Sequence, residues 1–159
     1  MARKPAPLTD TEQQKLDELR EQAAKDPLDW FKHENGAHMT PKLRMLIATR
    51  GMAAYGLYWV LMEKLAAQPN HFYDVNDDIG WLFLARDLSP GLETMTVEQC
   101  RDFVGALDDL GLIDHEELSE AGLVISEEMC RCAHERNEST AQNRFKGWRS
   151  GRARRGESG

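Results

Sequence analysis

The stretch from Thr40 to Ala67 limits the fold more than any other part of the chain. Thr40-Pro41 reads as a helix start: threonine caps, and the fixed φ of proline suits the first helical position. Leu43, Leu46 and Ile47 then fall on one face. Gly51 closes this helix, because glycine takes a positive φ without strain. A second helix follows to about Ala67, with a stripe of Ala54, Leu57, Tyr58, Leu61 and Leu65 that Tyr55, Trp59 and Met62 widen. A helix apolar on most sides belongs at the centre of a core. Gly56 inside it costs about 1 kcal/mol relative to alanine, which implies that another backbone packs closely there. The apolar run from Met52 to Leu61 contains Tyr, Gly and Trp and ends before Glu63. It reads as a buried helix, short of the roughly 20 apolar residues that a bilayer span needs.

The rest of the chain arranges itself around that core. Residues 1–8 are proline-rich and expected to be disordered. Thr9 with Glu12 is a capping box for a polar helix to Lys25, whose apolar side holds only Leu16, Leu19 and Ala23. Asp26-Pro27 ends it. Asp29–His33 reads as extended, and Phe72–Val75 as a short strand. Asn76-Asp77-Asp78 opens an acid-rich helix with Ile79, Leu82 and Phe83 facing inward. Ser89-Pro90-Gly91 is a loop. Thr96 with Gln99 caps the most regular helix, with Val97, Cys100, Val104, Leu107 and Leu110 at helical spacing and Gly111 at its end. Leu112–His115 and Leu123–Ile125 read as a hairpin. Ser126-Glu127-Glu128 starts a last helix that turns polar after Met129, and disorder is expected beyond Gly147. Short helices followed by a two-stranded hairpin make a winged-helix pattern, mainly α with a small β element. In it Thr96–Leu110 is the recognition helix. The expected organisation is a polar arm over 1–27, a winged-helix domain over 28–130, and a basic helix with a disordered tail over 131–159.

Charge is divided along the 159 residues. The formal net charge is −7, made of −12 over residues 1–130 and +5 from residue 131 onward. An acidic body with a basic tail suggests nucleic-acid contact through the tail. The three cysteines, Cys100, Cys130 and Cys132, are odd in number and two are nearly adjacent. That argues against a disulfide framework and for a reducing cytoplasm. The opening MARKPAPLTD lacks the apolar stretch of a secretory leader.

Three segments resemble a known family. Trp30-Phe31-Lys32-His33-Glu34-Asn35-Gly36-Ala37 is similar to the W/Y-F-x-H-D/E-x-x-A opening of a prophage domain. That domain stands at the N-terminus of DnaD-like replication proteins, or replisome organisers. Gly51 to Leu65, with Tyr55-Gly56-Leu57-Tyr58-Trp59 at its centre, resembles the stretch that follows in that family. Leu107-Asp108-Asp109-Leu110-Gly111-Leu112-Ile113 resembles the segment before its wing. The likeness covers about residues 29–135. It implies a winged-helix module of phage or prophage DNA replication, with a replicative helicase or helicase loader as partner.

The residues themselves divide the candidate roles. The recognition helix presents Glu98, Gln99, Arg101, Asp102, Asp108 and Asp109. Four of these are acids and one is an arginine, whereas docking on phosphate needs cations. Arg101 is its one candidate for nucleic acid. The tail is better suited. Phe145 and Trp148 alternate with Arg144, Lys146, Arg149, Arg152, Arg154 and Arg155, so cations can follow a backbone while rings stack on unpaired bases, favouring single strands. The competing reading has Phe145 and Trp148 covering apolar surface of the protein itself. Lys42, Arg44 and Arg50 read as solvated charges beside the core. Cys130-x-Cys132-x-His134 lacks zinc spacing, and no metal or cofactor is expected. His33-Glu34 has no nucleophile or phosphate loop beside it, so no enzymatic activity is expected and a structural hydrogen bond is. The function that follows is a DNA-binding replication module with no membrane role, with homo-oligomerisation left open. The alternative is an acidic protein-interaction adaptor or a DNA-mimic inhibitor.

Overall fold

The computed structural model describes residues 7–89 and 94–156. The expected disorder of residues 1–6, Pro90-Gly91 of the expected loop, and the tail's last three residues lie outside these. The chain is mainly helical, with a two-stranded antiparallel sheet. It divides into two compact units. One is Pro27–Ala133, and the other joins the segment up to Asp26 with the segment from His134 onward.

In the unit joining the two termini, α1 (Asp10–Lys25) starts at the Thr9–Glu12 capping box, with both reciprocal hydrogen bonds formed. The expected stripe of Leu16, Leu19 and Ala23 is buried. Its cover comes from the end of the chain, where a helix of Glu127–Arg155 (α5) reaches nearly to the C-terminus. Ala141 and Phe145 of this helix are buried with the α1 stripe, and Leu8 and Trp148 pack at the edge. Disorder beyond Gly147 was the expectation; the described helix runs to Arg155. The physical reason is that neither stripe can bury itself, but the two together make a small core.

In the other unit, the segment Pro41–Ala67 (α2) forms around the break read from the sequence. Gly51 has φ 81° and ψ 176°, outside helical space, so two helical halves meet there. Leu46, Leu61, Met62 and Leu65 are wholly buried and form the centre of the core. By length and composition α2 would be apolar enough to cross a bilayer. The break at Gly51 and the packing of its second half make it the central helix of this unit. Gly56 does not mark a close approach: it is exposed, and a Cβ there would meet nothing within 4 Å.

A strand of Phe72–Asp74 (β1) leads into a helix of Asp78–Asp87 (α3). The Asp77 carboxylate caps α3 by accepting from the Gly80 amide at 2.7 Å. The helix presses so closely on β1 that a Cβ at Gly80 would fall on the Asp74 carbonyl oxygen and 3.0 Å from the Val75 Cα. This contact sets the rotation of α3. Leu84, Ala85 and Leu88 are buried, whereas Ile79, Leu82 and Phe83, expected to face inward, are 61%, 58% and 45% exposed. Apolar residues lie on both sides of α3, so periodicity could not choose between them.

The helix Val97–Asp109 (α4) buries Cys100, Phe103, Val104, Ala106 and Leu107 behind a complete Thr96–Gln99 capping box. A strand of Leu123–Ile125 (β2) follows, but not as half of the expected hairpin. Its partner is β1, with Phe72 opposite Ile125, Tyr73 opposite Val124 and Asp74 opposite Leu123. Leu112–His115 is not a strand; it meets β2 through an Asp114 amide donating to the Ile125 carbonyl at 2.9 Å. Asp114 is instead the start of a helical turn, accepting from Glu117 on its side chain and from Leu118 on its carbonyl. The Asp114 carbonyl is taken up by the Leu118 amide, so pairing on this edge of β2 stops at one bond while β1 forms the ladder on the other.

Candidate nucleic-acid interface

Two surfaces carry the candidate residues, one in each unit. The outer face of α4 is the first. Arg101 extends from it to the Asp78 carboxylate at 2.9 Å, and its guanidinium lies 4.6 Å from the Trp81 ring centroid. Arg50, from the first half of α2, is paired with Asp102. This guanidinium holds the Asp102 carboxyl below its usual range. Lys42 donates to the Gly111 carbonyl. Arg101, Arg50 and Lys42 are thus already matched by carboxylates or a carbonyl, while Glu98 and Asp109 stand exposed. His115 sits 2.9 Å from Asp108, whose hydrogen bond and charge raise the imidazole above its ordinary pKa.

The second surface is the C-terminal part of α5. Six cations and no carboxylate fall within residues 144–155. Packing against α1 divides them. Arg144 pairs with Asp26 at 2.8 Å and Arg149 with Glu12 at 2.9 Å. Upstream, Arg20 makes a two-bond contact with Glu138, at 2.8 and 2.9 Å. Hydrogen bonds from Arg20, then from Gln142, pull the Glu138 carboxyl down to about 2. The Arg152 guanidinium lies 5.0 Å from the Trp148 ring centroid. Lys146, Arg154 and Arg155 are exposed, and among the described residues no carboxylate is in ion-pair reach of Lys146 or Arg154. The rings are less available than the cations. Phe145 is 4% exposed, and Trp148 is half-buried and stacked on it at 5.6 Å.

The structure therefore groups Arg144, Lys146, Trp148, Arg149, Arg152, Arg154 and Arg155 on one helix and leaves Arg101 in the other unit. Sequence reasoning missed the carboxylates that occupy these cations: Asp78, Glu12 and Asp26. Asp78 was visible only as a helix-start acid, and nothing in the sequence tied it to Arg101. His33 and Glu34 do not bond each other. His33 stacks on Trp59 with centroids 3.8 Å apart and contacts the Tyr55 hydroxyl at 3.3 Å, while Glu34 pairs with Lys32. Tyr58 is buried with the core, and burial pushes its hydroxyl up to about 12.

A known family profile, Lin1244/Lin1753-like, N-terminal, matches residues 30–129. The chain belongs to this family. The Lin1244/Lin1753-like match lies wholly inside the Pro27–Ala133 unit, from Trp30 to the first turn of α5. It includes α4 and the β1–β2 pair and leaves out α1 and the basic end of α5. No curated protein and no solved structure matches the chain.

Proposed function

We propose that the chain is a nucleic-acid-binding module of a replisome-organiser-like phage or prophage replication protein. In this reading the basic end of α5 binds DNA, and the Pro27–Ala133 unit positions protein partners. The observation that carries it is the set of cations on residues 144–155, above all exposed Lys146 and Arg154, which have no carboxylate in ion-pair reach among the described residues. Such a surface binds phosphate with little regard to sequence and releases counterions as it does so. The buried Phe145 favours an electrostatic contact over base stacking.

A winged-helix arrangement for the Pro27–Ala133 unit belongs to the same proposal. The order helix, strand, helix, helix, strand from α2 to β2 supports it, as does the Asp114–Ile125 bond beside the ladder. The DnaD-like likeness of residues 30–37 and 51–65 points the same way, with a helicase or helicase loader as the partner. Neutralised Arg101 and Arg50 favour a protein-facing role for α4 over groove reading.

The test is a salt titration of binding to labelled single- and double-stranded DNA, beside a Lys146→Glu/Arg154→Glu variant. Removing two phosphate contacts lowers the salt slope by roughly 1.8 on duplex and 1.4 on single strands. Point changes are preferable to deleting the tail, because deletion would also uncover Leu16 and Leu19. Absence of any DNA complex at low salt overturns this reading. It would favour the second one, an acidic adaptor or DNA mimic, which rests on the exposed carboxylates Glu98 and Asp109 of α4.

A further inference from the structure

The outward face of α3 has no task in the reading above. Ile79, Leu82 and Phe83 are 61%, 58% and 45% exposed on a single helix. With Arg86 they follow i, i+3, i+4, i+7 spacing, which places all four on one side. The opposite side holds buried Leu84, Ala85 and Leu88. Single exposed apolar side chains are ordinary, but a contiguous apolar stripe marks an interaction site.

Charge selects the occupant. Asp77 and Asp78 stand at the N-terminal end of the stripe, and Arg86 stands at its C-terminal end, 4.0 Å from Asp87, whose other oxygen accepts from the Tyr73 hydroxyl. Arg86 lies 5.0 Å from the Phe83 ring centroid, which holds it over the stripe. The Asp78 side chain is 95% exposed and gives one oxygen, Oδ1, to Arg101. The pattern is self-complementary. A second α3 running antiparallel, with the two-fold axis between Leu82 and Phe83, sets each Leu82 against the other's Phe83. It lays Arg86 over Ile79 of the second copy, with the guanidinium at Asp78 of that copy. Antiparallel helices also oppose their dipoles favourably. A two-fold contact of one patch with itself is the commonest oligomer geometry.

We infer that this chain self-associates through the α3 face, as an antiparallel α3–α3 homodimer. Ten residues of helix span about 15 Å, so the face is smaller than a standard stable interface. The dimer is accordingly weak, with dissociation on the order of 10–100 µM.

Sedimentation equilibrium of the full chain without DNA, across that concentration range, tests it. The wild type passes from monomer to dimer. Leu82→Glu stays monomeric throughout, with an unchanged far-ultraviolet circular dichroism spectrum because Leu82 is solvent-facing. Arg86→Glu weakens association about tenfold, and adding Asp78→Lys to it recovers most of the loss. A wild type that stays monomeric up to about 1 mM, well above the weak end of that range, overturns the inference and leaves the face to a different protein. So does a dimer that persists in Leu82→Glu. Because no nucleic acid is present, either outcome is separate from the fate of the DNA-binding reading.

Discussion

Replacing Phe145 by alanine should release α1 while leaving the Pro27–Ala133 unit intact. Phe145 is 4% exposed and shares its small core with Leu16, Leu19, Ala23 and Ala141. Losing the ring removes roughly 1.5–3 kcal/mol of burial free energy. The stacking on Trp148 at 5.6 Å adds about 0.5–1.5 kcal/mol. The resulting loss, roughly 2–4.5 kcal/mol, overlaps the range of about 3–5 kcal/mol found for Phe-to-Ala changes in cores. Five buried apolar side chains cannot absorb such a loss, and local opening of this unit becomes far easier. At about 1.4 kcal/mol per factor of ten, amide exchange in Asp10–Lys25 should accelerate by roughly 1.5 to 3 powers of ten. Hydrogen–deuterium exchange read by mass spectrometry on peptides from α1 and from α2 measures both effects. Equal exchange of α1 in the variant and the wild type would refute the reasoning. So would an α1 already fully exchanging in the wild type, as the expectation of a disordered tail would have it.

Four further outcomes follow from particular positions. Gly80→Ala should destabilise the Pro27–Ala133 unit by roughly 1–3 kcal/mol, since its Cβ collides with the Asp74 backbone. Gly56→Ala, in open space on a helix, should stabilise by about 0.5–1 kcal/mol; thermal melts separate the two, and a Gly80→Ala melt matching wild type counts against the packing of α3 on β1. Glu138 has its carboxyl pulled from 4.5 to about 2 by Arg20 and Gln142. A depressed folded-state value stabilises above the unfolded pKa, so its contribution is present above pH 4.5 and disappears as pH falls toward 2. The pair is substantially solvent-exposed, so the effect on α1 is under about 1 kcal/mol, and Glu138→Gln should flatten the acid limb of an α1 exchange profile. His115 should titrate above 6.5 by proton NMR because Asp108 stabilises the imidazolium. Its contribution to stability is complete below pH 6.5 and lost as pH rises through the raised value, and Asp108→Asn should bring the midpoint back down.

Much of the scaffold could be read from residues alone where a local rule had one solution. Thr9, Thr96 and Pro41 fix helix starts by satisfying or lacking amide donors, and Gly51 fixes a break because the backbone there needs a positive φ. The α4 stripe was legible at its centre, where Cys100, Val104 and Leu107 are buried, while Phe103 and Ala106, buried beside them, lay outside the stripe read from the sequence. The composition of residues 144–155 revealed the concentration of cations in the same way. Local rules failed where two faces competed. In α3, apolar residues surround the helix, and only the approach of Gly80 to the Asp74 backbone chose the buried side. The missed carboxylates Glu12, Asp26 and Asp78 belong here too, since nothing local says which cation a distant acid will meet.

The sequence by itself determined where helices begin, where α2 bends, and that the chain's positive charge gathers at one end, because each depends on neighbours within a turn or two. Tertiary structure alone decided that β2 pairs with β1 instead of Leu112–His115, and that Phe145 lies in a core and not on a mobile tail. It also decided which carboxylates pair with Arg101, Arg144 and Arg149. Those outcomes are set by burial and pairing between segments tens of residues apart, where the energy of a contact depends on what the rest of the chain brings beside it.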